Sequence, residues 1–264
     1  MLISGSKVLL TGASGGLGHD MARALNSAGA ELVLTGRRVE ALGPLAKETG
    51  GAELEADLSD RDQVAKLIAD HSDADILIAN AALPASGRIE SFSVEEIDKA
   101  LEVNIRATIV LAHGLGVAMA ERGHGHIVLI SSLAGKSGQA GSSIYSATKF
   151  ALRGFSQGLR ADLRSVGVGV SCIFPGFIRD AGMYADSGAQ LPRGVGTSSP
   201  REVSDAVIKA ITQNKGEVVV APATMRLGAV FAGIAPEAAA FVSRKSGAEA
   251  VSGEFASGQQ DKRS

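Results

Sequence analysis

Tryptophan is absent, tyrosine occurs only twice and cysteine once. The lone Cys172 rules out an intramolecular disulfide and any multi-cysteine metal site, and it fits a reducing, cytoplasmic setting. An excess of one charge sign is missing too: 26 basic and 28 acidic side chains leave a net charge of −2. The basic footprint of a nucleic-acid binder is therefore not there. No uncharged stretch reaches the ~18 residues expected of a transmembrane helix. The nearest, residues 227–243, is interrupted by Pro236 and Glu237. The first six residues have neither the charged nor the apolar region of a secretory signal. His19, His71, His113, His124 and His126 show no metal-ligand spacing and read as surface or packing residues.

Glycine is abundant instead, at 33 of 264 residues, about twice the usual ~7%. It follows no collagen-like period, so it belongs in turns and close backbone contacts. Apolar residue types make up 45% of the chain, which excludes general disorder. The length suits one large domain, expected over 1–243. Large apolar side chains become rare after that, so 244–264 reads as a flexible polar tail.

Seven short apolar runs, at 7–11, 31–35, 52–56, 75–79, 126–131, 168–174 and 217–220, alternate with amphipathic stretches. That is the pattern of repeated βα units. Near-continuous hydrophobicity suits strands covered by helices on both faces, hence a doubly wound, seven-stranded parallel sheet. Ser59, Ser93 and Ser199 each precede a helical stretch with an acid three residues on, the pattern of a capping box, and Pro200 fits the first helical position. Gly43-Pro44 predicts a short or kinked helix after the second strand. Residues 179–199 are rich in Gly, Ser and Pro and too long for a plain connection, which marks a candidate active-site loop.

The first strand runs into Thr11-Gly12-Ala13-Ser14-Gly15-Gly16-Leu17-Gly18 and then a helical stretch closed by Gly29. Glycines permit the sharp turn and the close approach of a pyrophosphate, and a helix N-terminus supplies free amides and a positive dipole end. The spacing is G-x-x-x-G-x-G rather than G-x-G-x-x-G. Further along stand Asn80 in Ala79-Asn80-Ala81-Ala82, Asn104 in Val103-Asn104-Ile105, Ser132, Tyr145 with Lys149, and Pro175-Gly176. In this order and spacing the set resembles the short-chain dehydrogenase/reductase family, in its compact single-domain branch, from Thr11 to about Pro222.

The resemblance implies a Rossmann-like three-layer α/β/α fold and a nicotinamide cofactor held by Gly12, Ser14, Gly16, Leu17, Gly18, Asp57, Leu58, Asn80, Pro175, Gly176 and Ile178. Asp57 would bind the adenine ring. It also implies a homodimer or homotetramer, with the fourth and fifth helices pairing across a two-fold axis, where Ala147, Ala151, Gly154, Phe155 and Gly158 in the helix after Tyr145 permit close approach. Asn104 would hold a water linking Lys149 to solvent. Two departures stand out. Ala82 replaces a glycine, and Asp180 stands where a threonine usually holds the nicotinamide amide.

Tyr145 and Lys149, four apart on a helix, share a face. A free tyrosine titrates near ~10. A fixed ammonium beside it, together with a positive nicotinamide ring, favours phenolate and moves that value toward neutrality. Tyr145 is then the general acid in reduction and the base in oxidation. Ser132 would donate to the carbonyl oxygen where charge develops. Ser131, by strand alternation, faces the opposite side. Lys149 tunes the phenol and bonds the nicotinamide ribose.

The second strand ends Leu34-Thr35-Gly36, with Gly36 where an NAD-binding carboxylate would sit, and Arg37 and Arg38 follow. A guanidinium there suits a 2′-phosphate, so NADP(H) is preferred, Arg37 is the main contact, and NAD(H) is possible. The reading is an oxidoreductase that interconverts a secondary alcohol with a ketone, aldehyde or 3-oxoacyl carbonyl on an apolar small molecule. A silent dinucleotide-binding module, or a lyase or isomerase on the same scaffold, are the alternatives. Residues 225–242 read as a lid, as a peripheral membrane or subunit contact, or as a simply packed terminal helix.

Overall fold

A computed structural model describes residues 1–189, 191, 195–245 and 258. Strands β1 (Lys7–Leu10), β2 (Glu31–Gly36), β3 (Ala52–Glu55), β4 (Ile76–Ala79), β5 (Gly125–Ile130), β6 (Val168–Pro175) and β7 (Glu217–Val220) form one sheet in the order β3-β2-β1-β4-β5-β6-β7. Every neighbouring pair is parallel. The chain builds outward from β1 to β3 and then returns to β4 on the other side of β1. This reversal opens a crevice at the carboxyl ends of β1 and β4, where ligands of such sheets bind.

Period-two alternation sorts the strand side chains into two cores. Val8, Leu10, Leu34, Ile76, Ile78 and Val128 pack under α1 (Gly16–Ser27), α2 (Val39–Thr49) and α8 (Pro200–Thr212). Leu9, Leu77, Ile127, Leu129, Cys172 and Phe174 pack on the opposite face. There they meet α3 (Arg61–Asp70), α5 (Thr108–Arg122) and the inner side of α6 (Ser143–Leu163). Cys172 is a buried core residue, as its strand position predicts.

One local expectation needs correction. Helix α3 is capped by Asp60, not Ser59: the Asp60 carboxylate accepts from the amides of Asp62 and Gln63. Ser59 is drawn back by Asp57, whose Oδ1 accepts from both its amide and its hydroxyl. Helix α2 runs unbroken for 11 residues with Pro44 inside it. Proline there gives up the bond to the Glu40 carbonyl, while Leu42, Leu45, Ala46 and Thr49 bury the helix on both sides of it. The capping boxes at Ser93 and Ser199 form as read.

Helix α4 (Val94–Leu101) passes through a π-turn at Glu102–Ala107 into α5. The resulting Val94–Arg122 helix is long and apolar enough to cross a membrane by length and composition, but half of its most apolar window is buried in the protein. It packs as a core helix, through Leu111, Ala112, Leu115 and Met119. After β6 come short α7 (Gly182–Ala185), α9 (Ala223–Ile234) and α10 (Pro236–Lys245). Helix α10 extends two residues into the expected tail; beyond it, Gly258 apart, the tail lies outside the described residues. The same holds for positions 190 and 192–194 of the candidate active-site loop.

Candidate active site

A continuous cleft of about 1360 Å³ runs along the carboxyl ends of the strands. It exceeds the ~300–1,000 Å³ of ordinary small-molecule pockets, enough for a dinucleotide and a substrate together. Gly12, Ser14, Gly16, Leu17, Gly18, Arg37, Asp57, Leu58, Asn80, Ser132, Tyr145, Lys149, Pro175, Gly176 and Ile178 all line it.

The glycine turn at one end is close-packed. Gly12 has φ +65°, and a Cβ there would lie 2.8 Å from Ala81 Cα; at Gly18 it would lie 2.3 Å from the Gly12 carbonyl oxygen. Asn80 fixes the turn by donating from Nδ2 to the carbonyls of Thr11 and Gly12. Thr11, which the sequence reading left without a role, accepts the amides of Asn80 and Ala81 on its hydroxyl and so ties β1 to β4. Helix α1 begins without a side-chain cap and without an acid in its first turn. Its free amides and dipole end are thus available to an anion, as a pyrophosphate cradle requires.

At the end of β2, a Cβ on Gly36 would come within 2.6 Å of Ser14 Oγ, so Ser14 itself favours glycine at that position. Arg38 donates to the Ser14 carbonyl at 2.6 Å and also lines the cleft. Its role was missed, although its place beside Arg37 was a signal. Burial pushes the Asp57 carboxyl up, but hydrogen bonds from Ser59 and the nearby Arg37 outweigh it and hold the group below the usual carboxylate range.

At the cleft floor, the Ser132 hydroxyl sits between the Pro175 carbonyl at 3.5 Å and the Ala134 amide at 3.2 Å. Lys149 Nζ donates to the Ile130 carbonyl at 3.0 Å and lies 5.6 Å from the Tyr145 ring centroid. Burial lowers the Lys149 ammonium to about 8. Burial also pushes the Tyr145 phenol up to about 12, against a Ser132 hydrogen bond that favours phenolate. The expected lowering by Lys149 is thus not met in the protein alone. Desolvation dominates, and the ammonium is engaged by a backbone carbonyl.

Ser131 also borders the cleft, but its hydroxyl is spent on the Lys149 carbonyl at 2.9 Å. Asn104 does not line the cleft. Buried in the π-turn, it clasps Leu83, accepting the amide at 2.7 Å and donating to the carbonyl at 2.9 Å. These two bonds leave one Nδ2 hydrogen and one Oδ1 lone pair of the side chain uncommitted. Asp180 also stands outside the cleft, at φ +69° and paired with Arg179.

The far arm of the cleft is apolar, walled by Phe177 and Tyr184, with ring centroids 5.1 Å apart, and by Met225, Phe231 and Ala232. Gly228 and Ala229 add small residues to the same wall. Helix α9 is thus more than a simply packed terminal helix. It faces the cleft on one side, while Leu227 and Ile234 stand 71% and 80% exposed on the other. Among the described residues no cluster of His, Cys, Asp or Glu could hold a metal.

A sheet reversal with an anion cradle on one bank and a buried hydroxyl–amine pair on the other defines a class, the dinucleotide-dependent oxidoreductases of doubly wound α/β type. Within it, the chain belongs to the short chain dehydrogenase family, whose profile matches residues 6–191. It is an NAD(P)-dependent enzyme acting on alcohol or carbonyl groups. It is similar to ketoacyl reductase HetN of a Nostoc species, with 37% identity over 227 residues, 83% of this chain and 79% of that one. Among solved structures, a putative betaketoacyl-ACP reductase superposes with TM-score 0.77 at 30% identity, covering 85% of this chain and 99% of that one. A short-chain dehydrogenase from Sphingobium yanoikuyae in complex with NADPH gives 0.74 at 28% identity, covering 88% and 96%.

Proposed function

We propose that the chain is an NADP-dependent oxidoreductase interconverting a secondary alcohol with a ketone, or with an aldehyde or 3-oxoacyl carbonyl, on an apolar small molecule. The observation that carries this reading is the convergence of Ser132, Tyr145 and Lys149 on the floor of a cleft with Arg37 and Arg38 at one end and apolar walls at the other. The reduced dinucleotide, when bound, supplies the hydride that the carbonyl carbon accepts. Ser132 donates a hydrogen bond to the carbonyl oxygen as negative charge grows there. Tyr145 transfers its phenolic proton to the same oxygen, and the alcohol leaves. Lys149 holds the dinucleotide's ribose and restrains the phenol, and Asn104 keeps the 83–104 contact that shapes the cleft wall. With the phenol at about 12 in the protein alone, the positive charge of the oxidised cofactor is what would bring it down for alcohol oxidation.

NADP is favoured over NAD by the basic pair at β2 and by the absence of a carboxylate at Gly36. Residues 1–243 act as one binding and catalytic unit, in a cytoplasmic setting that a single buried thiol fits. Assembly as a homodimer or homotetramer is supported by the outer face of α6. Phe150 is exposed there, and Gly154 and Gly158 have open space at the Cβ position. The test is to incubate the purified protein with NADPH or NADH and a panel of ketones, aldehydes and 3-oxoacyl thioesters, following loss of the reduced nicotinamide absorbance. NADPH-dependent turnover of apolar members is expected. Tight NADPH binding without turnover of any member would favour a silent binding module.

A further inference from the structure

We infer that Glu217, at the start of β7 and outside the cleft, is a positioning residue that holds the Ser132 turn against the helix carrying Tyr145 and Lys149. Its carboxylate accepts from three side chains: Lys136 Nζ on Oε2, and Arg153 Nε and Gln157 Nε2, each at 2.9 Å, on Oε1. The places of these partners in the chain are the argument. Lys136 is four residues beyond Ser132, at the end of the 3₁₀ turn Leu133–Gly135. Arg153 and Gln157 continue along α6 the four-residue stripe that begins with Tyr145 and Lys149, so they share that helix flank. One carboxylate thus grips both catalytic segments one step past the reacting side chains.

The surroundings fit a clamp rather than a surface ion pair. Lys136 and Glu217 keep only 13% and 27% of their side chains exposed, and charge-assisted bonds are stronger when shielded from water. Lys136 Nζ lies 4.2 Å and Arg153 Cζ 6.0 Å from the centroid of the buried Phe174 ring. Phe174 precedes Pro175, whose carbonyl Ser132 faces. Beneath the clamp the turn is laid directly on the helix backbone, since a Cβ on Gly135 would sit 2.6 Å from the Lys149 carbonyl oxygen. Burial alone would raise the Glu217 carboxyl, yet Lys136, Arg153 and Gln157 keep it below its ordinary range, so it stays charged near neutral pH.

The test compares Glu217→Ala, Glu217→Gln and Lys136→Met with the unaltered enzyme in the full chain. A displacement of about 1 Å in a catalytic group costs on the order of 10²-fold. Glu217→Ala should therefore lower kcat by about 10- to 100-fold, with a clearly smaller loss of NADPH affinity, because Lys149 bonds the ribose while the phosphate turn and Arg37 at the other end of the cleft are untouched. Glu217→Gln, which keeps a carbonyl acceptor for Arg153 and Gln157, should recover part of the loss. Lys136→Met added to Glu217→Ala should cost nothing further. Amide hydrogen exchange gives a readout free of any substrate: residues 133–136 and the first turns of α6 should exchange faster in Glu217→Ala, with residues 12–18 unchanged. Wild-type exchange in the folded Ala variant overturns the clamp. So does a parallel fall of kcat and NADPH affinity with no recovery by glutamine. The clamp matters to catalysis only if the proposed oxidoreductase reading holds. A wild-type protein that turns over none of the carbonyls counts against that reading alone, and exchange then decides the clamp.

Discussion

Cofactor choice is the property most open to a quantitative test, because the proposed reading rests it mainly on one exposed side chain. Arg37 lines the cleft beside Gly36, with no hydrogen bond or ion pair among the described residues, whereas Arg38 is committed to the Ser14 carbonyl. A guanidinium–phosphate pair contributes roughly 1.5–3 kcal/mol, and each 1.36 kcal/mol is tenfold. Arg37→Ala should thus weaken NADPH by about 10- to 150-fold and leave NADH within about twofold. Arg38→Ala should behave differently and weaken both cofactors, since it loosens the phosphate loop they share. A carboxylate at position 36 is the obvious route to NADH, but the structure adds a condition. The new Cβ would meet Ser14 Oγ at 2.6 Å and Ser14 Cβ at 3.1 Å. Gly36→Asp alone should therefore impair binding of both cofactors. Combined with Ser14→Ala and Arg37→Ala, it should favour NADH. The assay is a fluorescence titration of both reduced cofactors at fixed, modest salt, since screening blunts an exposed contact. Equal affinity of the wild type for NADH and NADPH, or equal weakening of both by Arg37→Ala, would refute the reasoning.

Tyr145→Phe keeps the ring but removes the transferable proton; turnover should fall about 10²- to 10⁴-fold with NADPH affinity intact, and retention of most activity would remove Tyr145 from the mechanism. His126 is buried with its Nε2 2.8 Å from Ser171 Oγ, and burial lowers it to about 3. A free histidine titrates near ~6.5, so the native state refuses a proton that the unfolded chain accepts. The stability this gives is full above about 6.5 and is lost as pH falls toward about 3, by up to about 1.4 kcal/mol per pH unit. Denaturant melts between neutral and mildly acid pH should show a shallower decline for His126→Gln, and parallel declines would contradict it. On assembly, light scattering at micromolar protein should give a dimer or larger, and Phe150→Glu should shift it toward the monomer, because a charge opposite its own copy is repelled.

What could be read from the sequence follows from how local each constraint is. The phosphate turn was legible because Gly12 and Gly18 have no space for a Cβ, so the backbone leaves a mark in the residue type itself. Tyr145 and Lys149 were legible because one helical turn relates them. Asp60 and Ser59 are adjacent and both able to cap; only Asp57, which engages Ser59, decides between them. The Glu217 clamp joins positions 81 and 64 residues apart, so no window along the chain could reveal it.

The acidity of Tyr145 shows the limit most clearly. Spacing brings Lys149 near and suggests a lowered value, because a Coulombic effect is pairwise and can be guessed from two residues. Desolvation depends on everything packed around the phenol, and it wins, raising the group to about 12. The same burial lowers Lys149 to about 8. Each charged form is therefore disfavoured in the protein alone. The phenol is thus held neutral beside a lysine that still carries its proton near pH 7, and in the proposed mechanism it is the positive charge arriving with the cofactor that favours its ionisation.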